Sequence, residues 1–430
     1  MRTSSLQAFV FAAVFAGVPT AYAWGAAGHE IVATIAQIHL PKPVLETVCD
    51  ILNSGDGASS SAPSRSSSHS EAYPPCHLAP IAAWADQIRG KPQYRYTAPL
   101  HYINALDDLP ADSCAFPGPQ GWHGRSTQNV LAALGNVSHV LRGFAAGEQS
   151  VGAANEALKF FVHWVGDMHQ PLHMSGREKG GNGARVAWNG RVTNLHSVWD
   201  GLLIAQSIRQ TPRNYSSPLE GTAGTFVEPH LRGAIYDPYI RRIMHEGLSD
   251  GGRFHSESPT WLDCPEPASA ASEYGFQERL LALDDKAAFG LTTPAGTEKK
   301  WDDGTLCPYA WAKPIHALNC ELPVWPHELD QGGHHDALTD GDGHGHGHGH
   351  EHEYDIAEEL ADFDHVFGIH VESPRPPRHP ELVELDTPEY AGKIADGWVV
   401  EQLLAMAGVR LAGLLTDIFH DVSGELPATA

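Results

Sequence analysis

Phe161-Val162-His163-Trp164-Val165-Gly166-Asp167-Met168-His169-Gln170-Pro171-Leu172-His173 is the stretch from which the fold is read. Its apolar residues recur at helical spacing. His163 and Asp167 stand four residues apart, so both fall on one face of a helix. The residue before a proline avoids the helical region, so the chain turns at Pro171 and offers His173 just beyond. A second pair at the same spacing, His196 and Asp200, follows in Asn194-Leu195-His196-Ser197-Val198-Trp199-Asp200. Imidazole and carboxylate suit Zn²⁺. One such pair is more often a surface hydrogen bond. Two pairs with a third histidine between them point to a metal cage between facing helices.

Outward from this stretch the pattern stays helical. Ile31, Ile35 and Ile38 repeat at helical spacing after Gly28-His29. Residues 126–146 and 151–170 carry similar stripes without internal proline. Residues 387–420 open on Thr387-Pro388, an N-cap followed by proline in the first turn, and run through Leu403, Leu404, Leu411, Leu414 and Leu415. No series of alternating strand patterns competes. The expected architecture is all-α, a mainly helical single domain over 24–430 with long loop insertions. Residues 54–75 are rich in Ser, Ala, Gly and Pro and read as a mobile loop. Residues 211–300 mix loops with short helical pieces. Residues 326–380 form an acidic, histidine-rich insertion with Gly-His repeats from Gly343 to His350.

The 430 residues carry 28 Lys+Arg against 52 Asp+Glu, a formal charge of −24, which excludes a broad basic surface gripping duplex DNA. It leaves room for a local site that holds phosphate through metal ions. Residues 1–23 read as a secretory signal: Arg2, an apolar run from Ala8 to Val18, and a small-x-small site at Ala21-Tyr22-Ala23. Cleavage there makes Trp24 the new N-terminus. The run is too short to cross a bilayer, and no later segment reads as a span, so a secreted monomer without a membrane anchor is expected. Six cysteines in a secreted chain point to disulfides, with 15 pairings open, and Asn136 and Asn214 head N-glycosylation sequons.

Other segments supply further donors. Trp24-Gly25-Ala26-Ala27-Gly28-His29 offers a terminal amine, a carbonyl and a histidine; an α-amino group is acidic enough to become a neutral ligand. Trp84-Ala85-Asp86-Gln87-Ile88-Arg89 sets an acid and an arginine on one helix. His101, in Leu100-His101-Tyr102-Ile103-Asn104, follows a proline and is expected on an extended segment. Taken in order, these segments resemble the zinc-dependent single-strand nuclease family: fungal class I nucleases, plant bifunctional nucleases and trypanosomatid 3′-nucleotidases, which share their fold with bacterial zinc phospholipase C. The likeness continues through Cys307-Pro308, Trp311-Ala312, Asn319-Cys320 and the helix from Tyr390 to Leu411.

The resemblance implies three Zn²⁺ ions. One is held by Asp86, His101, His163 and Asp167; its neighbour by the Trp24 amine and carbonyl, His29 and the bridging Asp167; the third by His173, His196 and Asp200. Arg89 matches the family's transition-state arginine. Tyr102 matches an aromatic that stacks on the base. Asn104 stands where the fungal enzymes have a base-contacting aspartate, and Lys179 where they have a small apolar wall. The implied activity is hydrolysis of single-stranded DNA and RNA to 5′-phosphorylated products, together with 3′-nucleotidase action. A zinc phospholipase C is the alternative within the fold, disfavoured by Asp200 where those enzymes usually carry glutamate. A secreted zinc-binding protein without catalysis leaves Arg89 and Tyr102 without purpose.

Overall fold

The computed structural model describes residues 24–54, 73–106, 116–117, 121–123, 127–265, 292–293, 301–321, 324–331 and 382–422. The chain divides into a larger unit, 22–334 with 376–430, and a smaller one, 1–21 with 335–375, whose residues lie outside those described. The signal segment, residues 55–72 of the serine-rich loop, and the Gly-His repeats are likewise outside the described residues.

Four helices carry the core: Ala26–His39, Val130–Ala145, Val151–Met168 and Val399–Phe419. The first packs along the last, the middle two pack along each other, and Val151–Met168 touches both of the outer helices. Each start has a local cause. Asn129 Oδ1 accepts from the Ala132 amide and Ser150 Oγ from the Ala153 amide, satisfying donors that a helix leaves open. From Leu158 to Met168 every residue is buried, as a helix enclosed on all sides requires.

The expected helix over 387–420 is interrupted. Thr387 caps a π turn, Pro388–Gly392, that runs into Lys393–Gly397; Trp398 then adopts a left-handed backbone at φ 56°, and Val399–Phe419 begins afresh. The stretch Pro388–Phe419 is, by length and composition, apolar enough to cross a membrane, which the hydropathy reading had missed; 72% of its most apolar window is buried inside the fold.

Among the described residues the chain also forms two short antiparallel ladders. Arg185–Trp188 pairs with Arg191–Asn194, and Trp122–His123 with Thr292–Thr293. The first is a hairpin turned by Asn189-Gly190, both at positive φ, the preferred pair for a tight turn matched to strand twist. Disulfides join Cys49 to Cys76 and Cys264 to Cys307; Cys114 lies outside the described residues.

Candidate metal centre

Val151–Met168 delivers His163 and Asp167 one turn apart into the centre of the molecule. His163 Nε2 stands 3.3 Å from Asp167 Oδ2. His163 Nδ1 donates to the Ala82 carbonyl at 2.7 Å, which fixes the ring with Nε2 facing inward. The helix ends at Met168, and a 3₁₀ turn, Pro171–Met174, carries His173. His173 Nδ1 donates to the His101 carbonyl at 2.8 Å.

His101 ends a 3₁₀ segment, Pro92–His101, rather than lying on an extended one. Bonds from i to i+3 tolerate Pro99, which lacks a donor but does not end the turn. From there His101 Nδ1 reaches Asp167 Oδ2 at 2.9 Å and Asp86 Oδ1 at 3.6 Å. Asp86 comes from the short helix Trp84–Ile88, and Arg89 just beyond it sits 3.4 Å from Asp86 Oδ1. His29, on Ala26–His39, places Nε2 3.4 Å from Asp167 Oδ1 and stacks on His163 at 3.8 Å between ring centroids. That closeness needs Gly166: a Cβ there would stand 2.7 Å from His29 Nδ1.

Asp167 thus points its two oxygens at different partners. Oδ2 faces His101 and His163; Oδ1 faces His29 and, at 3.8 Å, His173. The second His/Asp pair stands beside it. Asn194 caps Leu195–Ser197, a π turn follows over Val198–Leu202, and His196 Nε2 comes 3.1 Å from Asp200 Oδ2. His196 Nδ1 donates to the Gly180 carbonyl, and the His173 and His196 rings stack at 5.1 Å.

Among the described residues, three groups therefore have donor atoms within 4.8 Å of one another: His29, His163, Asp167; Asp86, His101, His163; and His173, His196, Asp200. All of these residues are buried. Both nitrogens of His29, both oxygens of Asp86, His101 Nε2 and Asp167 Oδ1 lack any hydrogen-bond partner. Such groups are costly to bury unless something satisfies them. Burial holds His29, His101, His163 and His173 below the ordinary histidine range. Burial lifts the Asp86 carboxyl to about 7 and pushes Asp167 up as well. For His196 burial opposes the charge, but Asp200 outweighs it and raises the pKa. Neutral imidazoles and carboxylates short of positive charge fit a divalent N/O-seeking cation.

Arg89 acts electrostatically on Asp86, Asp167, His101, His163, His173, His196 and Tyr102, so its charge is felt across all three groups. Trp24 is fully buried, and the next amide, Gly25, donates to the Asp200 carbonyl at 2.7 Å, so the start of the described chain lies against the third group. Tyr102 is 37% exposed, and Asn104 is half-buried beside Gly176. Lys179 is exposed, in a left-handed conformation, next to the Gly180 carbonyl that holds His196. Asn136 is half-buried within a helix and Asn214 is exposed; neither belongs to the cluster.

Sequence reasoning missed the supporting shell. Gln170 Nε2 donates to Asp200 Oδ1 at 2.7 Å, and Asn319 Nδ2 holds the Pro171 carbonyl at 2.8 Å. His169 donates from Nδ1 to Val165, while its Nε2 accepts from the buried Arg410 at 2.9 Å. Gln170 and His169 lie inside the decisive stretch, and their polarity in an apolar run was the available signal.

The family described as S1/P1 Nuclease matches residues 24–232. Endonuclease 2 of Arabidopsis thaliana is 33% identical over 210 residues, 47% of this chain and 62% of its own length. Nuclease S1 of Aspergillus oryzae is 34% identical over 193 residues, 44% of this chain and 58% of its own length. The chain thus spans about three-fifths of these two relatives. Endonuclease 3 of Arabidopsis thaliana is 33% identical over 320 residues, 73% of this chain and 86% of its own length.

Proposed function

This chain belongs to the S1/P1 nuclease family, and from that premise we propose that it is a secreted three-zinc phosphodiesterase. Its substrates are single-stranded DNA and RNA, cut to 5′-phosphorylated products, and it also removes the phosphate of 3′-nucleotides. The observation that carries this reading is the set of three buried His/Asp groups around Asp167, with so many donor atoms left unpartnered.

Asp86, His101, His163 and Asp167 hold one ion; the Trp24 amine and carbonyl, His29 and Asp167 the second; His173, His196 and Asp200 the third. Zinc held there supplies Lewis-acid activation of water and of the phosphoryl group. The protein's own groups do the rest. Arg89 donates to phosphoryl oxygens and stabilises the charge that grows on them. Tyr102 offers an exposed face on which an unpaired base stacks, Asn104 offers it both a donor and an acceptor, and Lys179 borders the pocket. The metal-ligand residues are buried, so a phosphate must be carried below the surface. A flexible single strand achieves this; a paired, stacked duplex does not. Asn214 is the more accessible of the two proposed glycosylation sites.

The test uses the processed protein, beginning at Trp24. Three zinc ions per chain and hydrolysis of single-stranded DNA and RNA, with duplex DNA and phosphatidylcholine spared, are expected. A zinc-loaded protein that leaves single strands intact overturns the reading.

A further inference from the structure

The third His/Asp group stands apart from the other two. Those share His163, whereas His173, His196 and Asp200 belong to neither. Each of its three members ties up one atom and keeps another. His173 Nδ1 donates to the His101 carbonyl and His196 Nδ1 to the Gly180 carbonyl, which leaves Nε2 of each ring with its lone pair. Asp200 Oδ1 accepts from Gln170 Nε2 at 2.7 Å, which leaves Oδ2 on the side of His196 Nε2. Two of these three anchors are main-chain carbonyls. The third is a side chain.

Gln170 is wholly buried, and both ends of its amide are used. Oε1 accepts from the Leu172 amide at 2.5 Å. The network admits one orientation of the side chain: a carboxylate needs a donor and a main-chain N–H needs an acceptor, so Nε2 faces Asp200 and Oε1 faces Leu172. Leu172 lies in Pro171–Met174, the turn that carries His173. Asp200 lies 30 residues from Gln170, on the π turn Val198–Leu202. One side chain therefore ties the carboxylate of the group to the turn that bears one of its imidazoles.

We propose that Gln170 is the positioning residue of the third group: by holding Asp200 Oδ1 it leaves Oδ2 as the ligand atom, and so sets the affinity of the third ion separately from that of the other two. The inference rests on the three-zinc reading above. A carboxylate oriented through an outer hydrogen bond is a better ligand than one free to turn, and loss of such a bond typically weakens a metal by about 10–100-fold.

Zinc content of the processed protein, followed under graded chelation, tests this. The parent should hold three ions. Gln170→Met keeps the length of the side chain and removes both hydrogen bonds. It should hold two ions as the parent does and release the remaining one at free zinc about 10–100-fold higher. Gln170→Asn, too short to span Asp200 and Leu172 together, should show the same selective loss and decides the matter if Gln170→Met does not fold. The proposal is overturned if a folded variant keeps three ions at the parent's affinity. It is equally overturned if all three ions weaken together, or if neither variant folds, because Gln170 is then a structural residue. A parent that itself binds fewer than three ions overturns the three-zinc reading, and the proposal with it.

Discussion

Asp167 is the residue on which the candidate metal centre turns, because its two oxygens face different imidazoles across a fully buried carboxylate. Asp167→Asn keeps its size but removes charge from both sides. Loss of bound zinc is expected, with single-strand hydrolysis falling by more than the about 10–100-fold typical of outer-shell changes. Full zinc content with full activity would sink the bridging role. Near the far end of Ala26–His39 from His29, Gln37 Oε1 accepts from the Leu78 amide, which turns Nε2 toward His230 Nδ1. His230 must therefore stay neutral there to accept. Burial, with His77 and His39 nearby, lowers its pKa to about 4. The unfolded chain takes up this proton near pH 6.5, whereas the folded one resists it until about 4. Stability should thus be flat above about 6.5 and fall by about 1–2 kcal/mol as pH drops to about 4, after discounting for screening. His230→Gln should remove that part of the slope in acid denaturation curves; an identical slope refutes it.

Between elements, the first and last core helices approach closely at Gly408. A Cβ on Gly408 would stand 2.5 Å from Ile35 Cγ2, so only glycine admits the contact. Gly408→Ala should destabilise by about 1–3 kcal/mol in urea unfolding, the range for overpacked cores. A neutral effect would mean that the helices can slide apart. Helices of the core were legible because their stripes are local: Ile31, Ile35 and Ile38 are all buried, as are Leu403, Leu404, Leu411, Leu414 and Leu415. The break at Trp398 was not legible. Tryptophan at a left-handed position contradicts local preference and is held by its surroundings: Arg242 on its face and Phe254 against its edge. The Asn189-Gly190 hairpin did have a signal, the dipeptide itself, but its strands are only four residues long.

For the molecule as a whole, metal and fold should be one equilibrium. Chelation would leave both nitrogens of His29, both oxygens of Asp86, His101 Nε2 and Asp167 Oδ1 buried without partners. Each ion present at a hundred times its dissociation constant contributes about 2.7 kcal/mol to the folded state. The midpoint of thermal unfolding should therefore fall with chelator and recover with added zinc; a midpoint indifferent to both refutes the coupling. The proposed processing before Trp24 bears on the same equilibrium. Trp24 is buried and Gly25 is bonded to Asp200, so no slack separates the start of the described chain from the site. A retained Met-Gly extension before Trp24 should lower zinc content by one ion and abolish most turnover. Undiminished turnover, with the extension verified by mass spectrometry, removes Trp24 from the ligand set.

The sequence by itself determined which residue types stand one helical turn apart, and so the two His/Asp pairs, the core helices and the order of candidate ligands. These depend on spacings of three and four residues, which helix geometry converts directly into shared faces. Tertiary structure alone decided the rest. It set His101 against an aspartate 66 residues away and seated Ala82, Gly180 and the His101 carbonyl behind the imidazoles. It also joined Cys49 to Cys76. The physical reason is that such contacts are made between segments distant along the chain. Each side chain's charge state and partner depend on what burial brings beside it, which no local spacing contains.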